Sequence, residues 1–100
     1  MKSGKTHNYH VYILTNKNKT VLYIGVTNNL KVRLYQHSKE SNKTSFSYRY
    51  KTHFLIYFEH FLNIEQAIAR EKQLKKWSRK KKEFLINLTN PNWDFLNDEI

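Results

Sequence analysis

Apolar and polar positions alternate across residues 9–26, and the polar run NKNKT interrupts the alternation near its middle. A period of two is typical of a strand with one buried face, and two such runs around polar turn residues predict a β-hairpin. A turn with an even number of residues would set Val11 opposite Ile24 and Tyr12 opposite Tyr23. In that register the apolar side chains share one face of the hairpin, and the two tyrosines lie on the other.

The segment VTNNLKVRLYQHSKE, directly after Gly25, predicts a helix. Thr27 or Asn28 can cap its N-terminus, and the helix should continue to about Ser38. Residues four apart lie side by side along a helix, which gives two pairs: Leu30 with Leu34, facing inward, and Arg33 with His37.

A stretch with loop composition, residues 39–52, precedes one more strand and two more helices. The run from Phe54 to Glu59 is apolar enough to predict a strand that is buried on both faces. Asn63 can cap the next helix, and Ser78 can cap a last helix that stops at Pro91. The apolar residues expected to be buried on these two helices are Ile64, Ala67, Ile68, Leu74, Phe84, Leu85 and Leu88.

The predicted order is strand, strand, helix, strand, helix, helix, which indicates an α+β fold with a small three-stranded antiparallel β-sheet flanked by helices. One hundred residues with 39% hydrophobic content suffice for one compact core and not for two. We therefore expect a single domain over residues 1–100, with its core in residues 9–89. The last residues, 90–100, form an acidic segment whose Trp93 and Phe95 fold back on the domain.

Basic residues outnumber acidic residues by 18 to 8, which gives a formal charge of +10. The imbalance is greatest over residues 1–58, where Glu40 is the one acidic residue among ten basic ones. A field of this sign attracts polyanions such as nucleic acids, with an affinity that falls as salt rises. Charge alone is equally compatible with a basic protein of another function.

The composition also excludes several classes of protein. There is no cysteine, so neither a disulfide framework nor a cysteine zinc site can form. The start MKSGKTHNYH lacks an apolar signal core, and the run FLIYF is far shorter than a membrane span. We expect a soluble, unprocessed, cytoplasmic protein, monomeric and with neither a membrane nor an obligate protein partner.

Glu71 lies near the middle of the apolar stripe of its helix, where a carboxylate loses hydration unless something compensates it. One interpretation is an ion pair with Lys75, one turn later on the same side. The other is a magnesium site, since Mg²⁺ favours one or two protein carboxylates plus waters and substrate phosphate oxygens.

Tyr12 and Tyr23 can be an ordinary cross-strand pair, but they lie beside Gly25, which allows a phosphate to approach the backbone. Arg33 and His37 together supply a fixed cation for charge on phosphoryl oxygens and a group that titrates near neutrality. This combination points to phosphodiester hydrolysis. The other histidines lack metal-ligand spacing and are expected to be structural or exposed: His7, His10, His53 and His60.

The stretch SFSYRYK interleaves aromatic and basic side chains. Phe46, Tyr48 and Tyr50 could stack on bases, while Arg49 and Lys51 meet phosphates. We therefore expect Arg49 and Lys51, together with the Gly25 corner, to contact nucleic acid.

Four motifs of the chain resemble those of the GIY-YIG nuclease superfamily. They are HVY at residues 10–12, YIG at residues 23–25, the helix with Arg33 and His37, and AIAREKQLKKW with Glu71. The resemblance is to its small stand-alone bacterial members. It extends from residue 10 to residue 93, with the same order of elements.

The resemblance implies a role for each motif residue. Tyr12 and Tyr23 are the tyrosines of the first and second motifs, Arg33 binds phosphate, His37 is the helix partner, and Glu71 is the divalent-metal ligand. It also implies hydrolysis of a DNA strand by water or hydroxide, with a tyrosine or the histidine assisting deprotonation. Asn87 and Asn90 are possible counterparts of a late asparagine found in many family sites.

The resulting hypothesis is a Mg²⁺- or Mn²⁺-dependent DNA endonuclease of low sequence specificity. Its DNA could be branched, damaged or single-stranded, and its role could be in repair or recombination. The alternative is a non-catalytic basic module that binds nucleic acid, and a less favoured one is a structural protein of a ribonucleoprotein particle.

Overall fold

A computed structural model describes residues 8–43 and 45–100. His7 lies outside the described residues. The strands are β1 (Tyr9–Thr15), β2 (Leu22–Thr27) and β3 (Phe54–Phe61). The helices are α1 (Leu30–Ser38), α2 (Phe46–Tyr50), α3 (Ile64–Lys76) and α4 (Arg79–Thr89), and a 3₁₀ turn follows at Asn97–Glu99. The sheet is antiparallel with strand order β2-β1-β3, which confirms the predicted α+β fold.

The hairpin has the predicted faces but not the predicted pairs. Tyr12 lies opposite Gly25, and Tyr23 lies opposite Leu14, so the register is displaced by two residues. The cause is a longer turn, which the side chain of Asn16 closes by accepting hydrogen bonds from the backbone of Thr20 and Val21 at 2.8 and 3.0 Å. Because side chains alternate with a period of two, a displacement of two leaves every side chain on its face.

Helix α1 begins one or two positions later than predicted. Its N-cap is Asn29, whose side chain accepts a hydrogen bond from the Val32 N–H at 3.1 Å, so the assignment of the cap to Thr27 or Asn28 was wrong. Thr27 still belongs to β2, and its hydroxyl accepts a bond from the Asn29 N–H at 3.0 Å. The threonine thus shapes the turn from strand to helix. The predicted caps of α3 and α4, Asn63 and Ser78, are confirmed.

The region expected to be a loop, residues 39–52, contains the short helix α2. Ser45 caps it by accepting from the Tyr48 N–H, and Lys51 ends it in the left-handed conformation with φ of 54°. Five residues are too few to show helical periodicity, so the pattern of apolar positions could not reveal this helix.

The sheet separates two groups of buried side chains. The first core lies under α3 and α4 and contains Val11, Ile13, Ile24, Ile56, Tyr57, Ala67, Leu74 and Ile86. The second core lies under α1 and contains Tyr12, Leu14, Leu30, Leu34 and Leu55. Strand β3 is buried continuously only over Leu55–Tyr57 and alternates between exposed and half-buried positions from Phe58 on, so the expected burial on both faces holds only for Leu55–Tyr57.

Several apolar positions expected to be buried are exposed: Ile64, Ile68, Phe84 and Leu88. Each helix meets the sheet along a narrow line, which is Ala67 and Leu74 on α3 and Ile86 on α4. A sheet of three strands is too narrow to cover the flanks of both helices. The helix patterns therefore overestimated the width of the buried stripe.

Packing continues past residue 89. Phe95 stacks on Phe54 with ring centroids 4.2 Å apart, and Trp93 packs against the first core, as expected. Leu96 and Ile100 also pack against the second core. Over the residues that the structure describes, no helix is long and apolar enough to cross a membrane.

Candidate active site

Tyr12 and His37 form the centre of the candidate site. Tyr12 is fully buried at the middle of β1, and its hydroxyl lies 3.1 Å from Nε2 of His37, which projects inward from α1. The two rings meet edge to face, with centroids 5.9 Å apart. Helix α1 is held on the sheet by Leu30 and Leu34, so the same side that packs α1 also brings His37 to the tyrosine.

Gly25 provides the space for the Tyr12 ring. A Cβ at position 25 would lie 2.5 Å from the Tyr12 hydroxyl and 2.6 Å from Cζ. Gly25 does not have a positive φ, so the requirement is for room and not for a special backbone conformation. The expectation that nucleic acid approaches Gly25 stays a prediction, and the structure shows that the Tyr12 phenol occupies the space beside it.

Tyr23 extends the aromatic group toward the surface. Its ring lies 5.1 Å from His37 and 6.3 Å from Tyr12, measured between centroids. Phe46 of α2 contacts Tyr23 at 5.4 Å, and Tyr50 contacts Phe46 at 4.6 Å. An aromatic row thus runs from the buried phenol of Tyr12 to the exposed rings of α2.

Arg33 acts directly on the Tyr12 phenol. Burial and, to a smaller extent, the neighbouring Tyr23 raise the pKa of Tyr12 to about 12, and the charge of Arg33 limits the rise. Without the arginine the phenol would be harder still to deprotonate, because a buried phenolate lacks hydration. Arg33 and His37 lie one turn apart on α1, as the sequence predicts, and both act on the Tyr12 phenol, Arg33 through its charge and His37 through its ring nitrogen.

His37 is held at both of its ring nitrogens. Nδ1 contacts the hydroxyl of Ser47 on α2, and the Thr52 hydroxyl donates to the Ser47 oxygen at 3.3 Å. Burial lowers the pKa of His37, and the nearby charges of Arg33 and His53 lower it further, against a smaller opposing effect of Glu40. The imidazole is therefore neutral at pH 7, and it can accept a proton.

Two cavities border this group. One of about 250 Å³ is lined by Arg33, Gln36, His37 and Glu40. The other, of about 270 Å³, is lined by Leu22, Tyr23, Ile24, Phe46, Lys75 and Lys82. A phosphate in either cavity would meet at least one cationic side chain beside an aromatic or imidazole ring.

Glu71 projects from the α3 side. Its side chain is 16% exposed and forms an ion pair with Lys75, which is 53% exposed, at 3.2 Å. The carboxylate is close enough for its charge to act on the Tyr12 phenol, and Lys75 borders the cavity that Tyr23 lines. Through Lys75, Glu71 is thus linked to the cavity that Tyr23 lines.

The donor atoms around Glu71 fit Mg²⁺ better than a transition metal. Within residues 8–43 and 45–100, no three His, Cys, Asp or Glu side chains come together as metal ligands. A lone carboxylate suits an ion that keeps several waters and takes substrate phosphate oxygens. An exposed lysine can leave the carboxylate at little cost, because exposed ion pairs contribute about 0–1 kcal/mol.

Arg49 and Lys51 lie at the rim of the aromatic row, on and just after α2. Both side chains are exposed, with Arg49 over the Tyr50 ring and Lys51 over the Tyr48 ring. Their contact with nucleic acid stays a prediction. Their position places positive charge on the outer face of the helix whose inner face holds His37.

The two late asparagines are engaged in the fold. Asn90 is buried, and its amide donates to the backbone oxygens of Ile56 and Asp94 at 2.9 Å each. Asn87 accepts a bond from the Trp93 indole at 2.6 Å. Both asparagines therefore fasten the C-terminal segment to α4 and the sheet.

Sequence reasoning missed the residues behind His37. Ser47 and Thr52 lie in the stretch interpreted as a loop, where a buried hydroxyl has no distinctive pattern. The available signal was Ser45, because a serine can be the N-cap of a helix that begins at the next residue. That cap would have predicted that Ser47 lies on a helix, but not that its hydroxyl contacts His37.

Comparisons with known proteins match most of the chain. Residues 8–84 match the GIY-YIG catalytic domain. A UPF0213 protein of Bacillus pumilus (strain SAFR-032) is 34% identical over 80 residues, which is 80% of each chain. The solution NMR structure of a UPF0213 protein from Bacillus halodurans is similar with a TM-score of 0.54 at 30% identity, and the likeness covers 86% of this chain and 89% of that one. Both tyrosine strands, α1 and α3 lie within the matched residues.

Proposed function

This chain belongs to the GIY-YIG family of nucleases, and from that premise we propose that it is a metal-dependent DNA endonuclease of low sequence specificity. The observation that carries the proposal is the contact of Tyr12 with His37 beside an open cavity that Arg33 lines. We further propose cytoplasmic action of the monomer on branched, damaged or single-stranded DNA, in repair or recombination.

Arg33 would bind the phosphate that is cut. The cavity is lined by the cation Arg33 and also by the acid Glu40. The charge of the Arg33 guanidinium acts on the reacting phenol of Tyr12. A fixed cation at this position balances the negative charge that grows on the phosphoryl oxygens as the attacking oxygen bonds to phosphorus.

Tyr12 would activate the attacking water with His37 behind it. The phenol takes one proton from the water while its own proton passes to Nε2 of His37, which lies 3.1 Å away. The products of this step are hydroxide and a protonated imidazole, so charge and protons balance. His37 suits the task because its lowered pKa keeps it free of a proton before the step.

Tyr23 would contact the substrate from the other side of His37. It lines the second cavity with Lys75 and Lys82, where a phenol can donate to a phosphate oxygen. Glu71 would hold Mg²⁺ or Mn²⁺, and such an ion, when bound, stabilises the negative charge on the leaving oxygen.

The basic surface would hold DNA through its backbone. Exposed Arg49 and Lys51, together with Lys75 and Lys82 at the second cavity, would contact phosphates around the cut. Phosphate contacts carry no sequence information, which is the reason for low specificity. Binding should weaken steeply as salt rises.

Nicking of supercoiled plasmid tests the proposal. The protein should nick in the presence of Mg²⁺ or Mn²⁺ and stop when a chelator is added. Glu71→Gln and Arg33→Ala should each abolish nicking while the fold and most DNA binding remain. Glu65→Gln, which changes an exposed acid of the same helix, and Lys31→Ala, which removes a charge from α1, are the matched controls.

A second candidate function is a non-catalytic module that binds nucleic acid. The observation in its favour is the ion pair of Glu71 with Lys75, which engages the proposed metal ligand. A salt-sensitive gel shift without metal-dependent nicking would support this module. Equal nicking by the Glu71→Gln variant and the parent would instead remove Glu71 from the metal site.

A further inference from the structure

The interior of the site contains a chain of hydroxyl and imidazole groups that ends three side chains behind the reacting phenol. It runs from Tyr12 through His37 and Ser47 to Thr52, and all four residues are buried. Ser47 and Thr52 have no part in the function proposed above. Their burial next to a functional imidazole therefore needs its own explanation.

The direction of the hydrogen bonds in this chain follows from Tyr12. The guanidinium of Arg33, whose charge acts on the phenol, is a donor only, so it can use a lone pair of the phenol oxygen but cannot accept the phenol proton. The phenol's own proton then needs an acceptor inside the protein, because Tyr12 has no exposed surface. Nε2 of His37, at 3.1 Å, meets that need, and it can accept only if it carries no proton.

The other ring nitrogen of a neutral imidazole must then carry the proton. Nδ1 faces Ser47, whose hydroxyl oxygen has two lone pairs. One receives the Nδ1–H of His37 and the other receives the Thr52 hydroxyl proton at 3.3 Å. Tyr12, His37 and Thr52 thereby each donate one proton along the chain toward the next acceptor.

We propose that Ser47 is a positioning residue that fixes His37 in the tautomer with a proton on Nδ1 and a free Nε2 facing Tyr12. The effect of Ser47 on catalysis rests on the proposed function, whereas its effect on the tautomer of His37 does not. Loss of the Ser47 oxygen would leave Nδ1–H buried without an acceptor, which costs the desolvation of that group. The opposite tautomer would then become accessible, and in it Nε2 donates and cannot take a proton from Tyr12.

The position of α2 gives this contact a second consequence. Ser47 lies on the inner face of α2, whereas Tyr48, Arg49 and Tyr50 are exposed on its outer face. The helix that is proposed to touch nucleic acid is therefore the helix that orients the imidazole. Its displacement would change the hydrogen-bonding state of His37 without moving α1.

The first test is the tautomer of His37 in the unsubstituted full chain, read from the two ring ¹⁵N signals by NMR at neutral pH. We expect an Nδ1–H imidazole. An Nε2–H imidazole in the parent protein would overturn the proposal at once. This measurement needs neither metal nor DNA, so it is independent of whether the protein cuts.

The second test compares Ser47→Ala with Thr52→Val, which removes the hydroxyl one step farther away and leaves the His37 acceptor in place. Ser47→Ala should convert the ring signals to a mixture or to the Nε2–H form, and Thr52→Val should keep the parent signals. If Ser47→Ala fails to fold, Ser47→Cys replaces the oxygen with a weaker acceptor at nearly the same size. Parent-like ring signals in a folded Ser47→Ala or Ser47→Cys protein would contradict the proposal.

Catalysis provides the third readout. Loss of an outer partner of a functional histidine costs about 10- to 100-fold in metalloenzymes, and we expect a similar loss of the nicking rate in Ser47→Ala with unchanged DNA affinity. A parent protein that does not nick would refute the endonuclease function, while the tautomer comparison would still decide the role of Ser47. Full nicking activity in a Ser47→Ala protein whose tautomer has changed would show that the tautomer does not matter for catalysis and would overturn the positioning role.

Discussion

Gly25 permits a test in which two explanations predict effects of opposite sign. In the Gly25→Ala variant, the new methyl group would lie 2.5 Å from the Tyr12 hydroxyl and 2.6 Å from Cζ. Ordinary contacts of a Cβ begin near 3.4 Å, so one side must move by about 1 Å. Tyr12 cannot turn into solvent, because it is fully buried and is bound to His37.

The expected cost follows from the packing. Forcing an extra methyl group into a filled site typically costs about 1–3 kcal/mol. Lengthening the Tyr12–His37 hydrogen bond adds a share of the ~0.5–1.5 kcal/mol that such a bond contributes. Reduced freedom of the unfolded chain returns about 0.4–1 kcal/mol. We therefore expect a net loss of about 1–3 kcal/mol, which lowers the melting temperature of a domain of this size by roughly 5–20 °C.

Urea unfolding of the parent, Gly25→Ala, Tyr12→Leu and the double variant measures this effect. In the Tyr12→Leu background the alanine should be neutral or stabilising, which gives a coupling energy of about 1–3 kcal/mol between the two positions. If position 25 were open for a nucleic acid, Gly25→Ala would stabilise the free protein by about 0.4–1 kcal/mol and weaken DNA binding. A stabilised Gly25→Ala protein would thus refute the packing argument.

Three further predictions concern stability. Burial lowers the pKa of His37 and of His10, so below about pH 6.5 the unfolded chain binds more protons than the folded one, and stability falls as the pH drops toward the folded pKa values. Urea unfolding at pH 7.5 and 5.5 should show this loss, and His37→Gln should reduce it; an unchanged pH dependence would contradict the assignment. Phe84→Lys, at a side chain that is 66% exposed, should change the unfolding free energy by less than about 0.5 kcal/mol, whereas Ile86→Ala should cost about 2–5 kcal/mol. A larger cost for Phe84→Lys than for Ile86→Ala would show instead that Phe84 is buried, as the sequence suggested. Asn90→Ala should cost about 1–3 kcal/mol and leave the nicking rate of the folded protein unchanged, because its amide serves the backbone; a selective loss of nicking would place Asn90 in the site.

The sequence was informative wherever a local rule acts alone. Asn63 and Ser78 cap their helices because a short polar side chain satisfies free backbone N–H groups, and this requires no partner elsewhere. The faces of the hairpin follow from alternation, which survived an error of two residues in the register. Arg33 and His37 share a side of α1 because helix geometry alone puts residues four apart together.

The errors arose where a decision depends on several elements at once. The side chain of Asn16 closes a turn longer than predicted, so the cross-strand partner of Tyr12 is Gly25 and not Tyr23. Phe84 is exposed because the sheet is narrower than the apolar surface of the helices. Neither fact is encoded in a local pattern, since each depends on how much room another element leaves.

The amino-acid sequence by itself determined the fold class, the order of the main elements and the residue types available for phosphate chemistry, because capping, periodicity and charge are properties of neighbours along the chain. Only the tertiary structure decided which of those residues touch. It put the Tyr12 phenol over Gly25, set Nε2 of His37 on its hydroxyl and brought Ser47 to the other ring nitrogen. Contacts between residues far apart in sequence depend on register and packing, and these are fixed only when all the elements assemble.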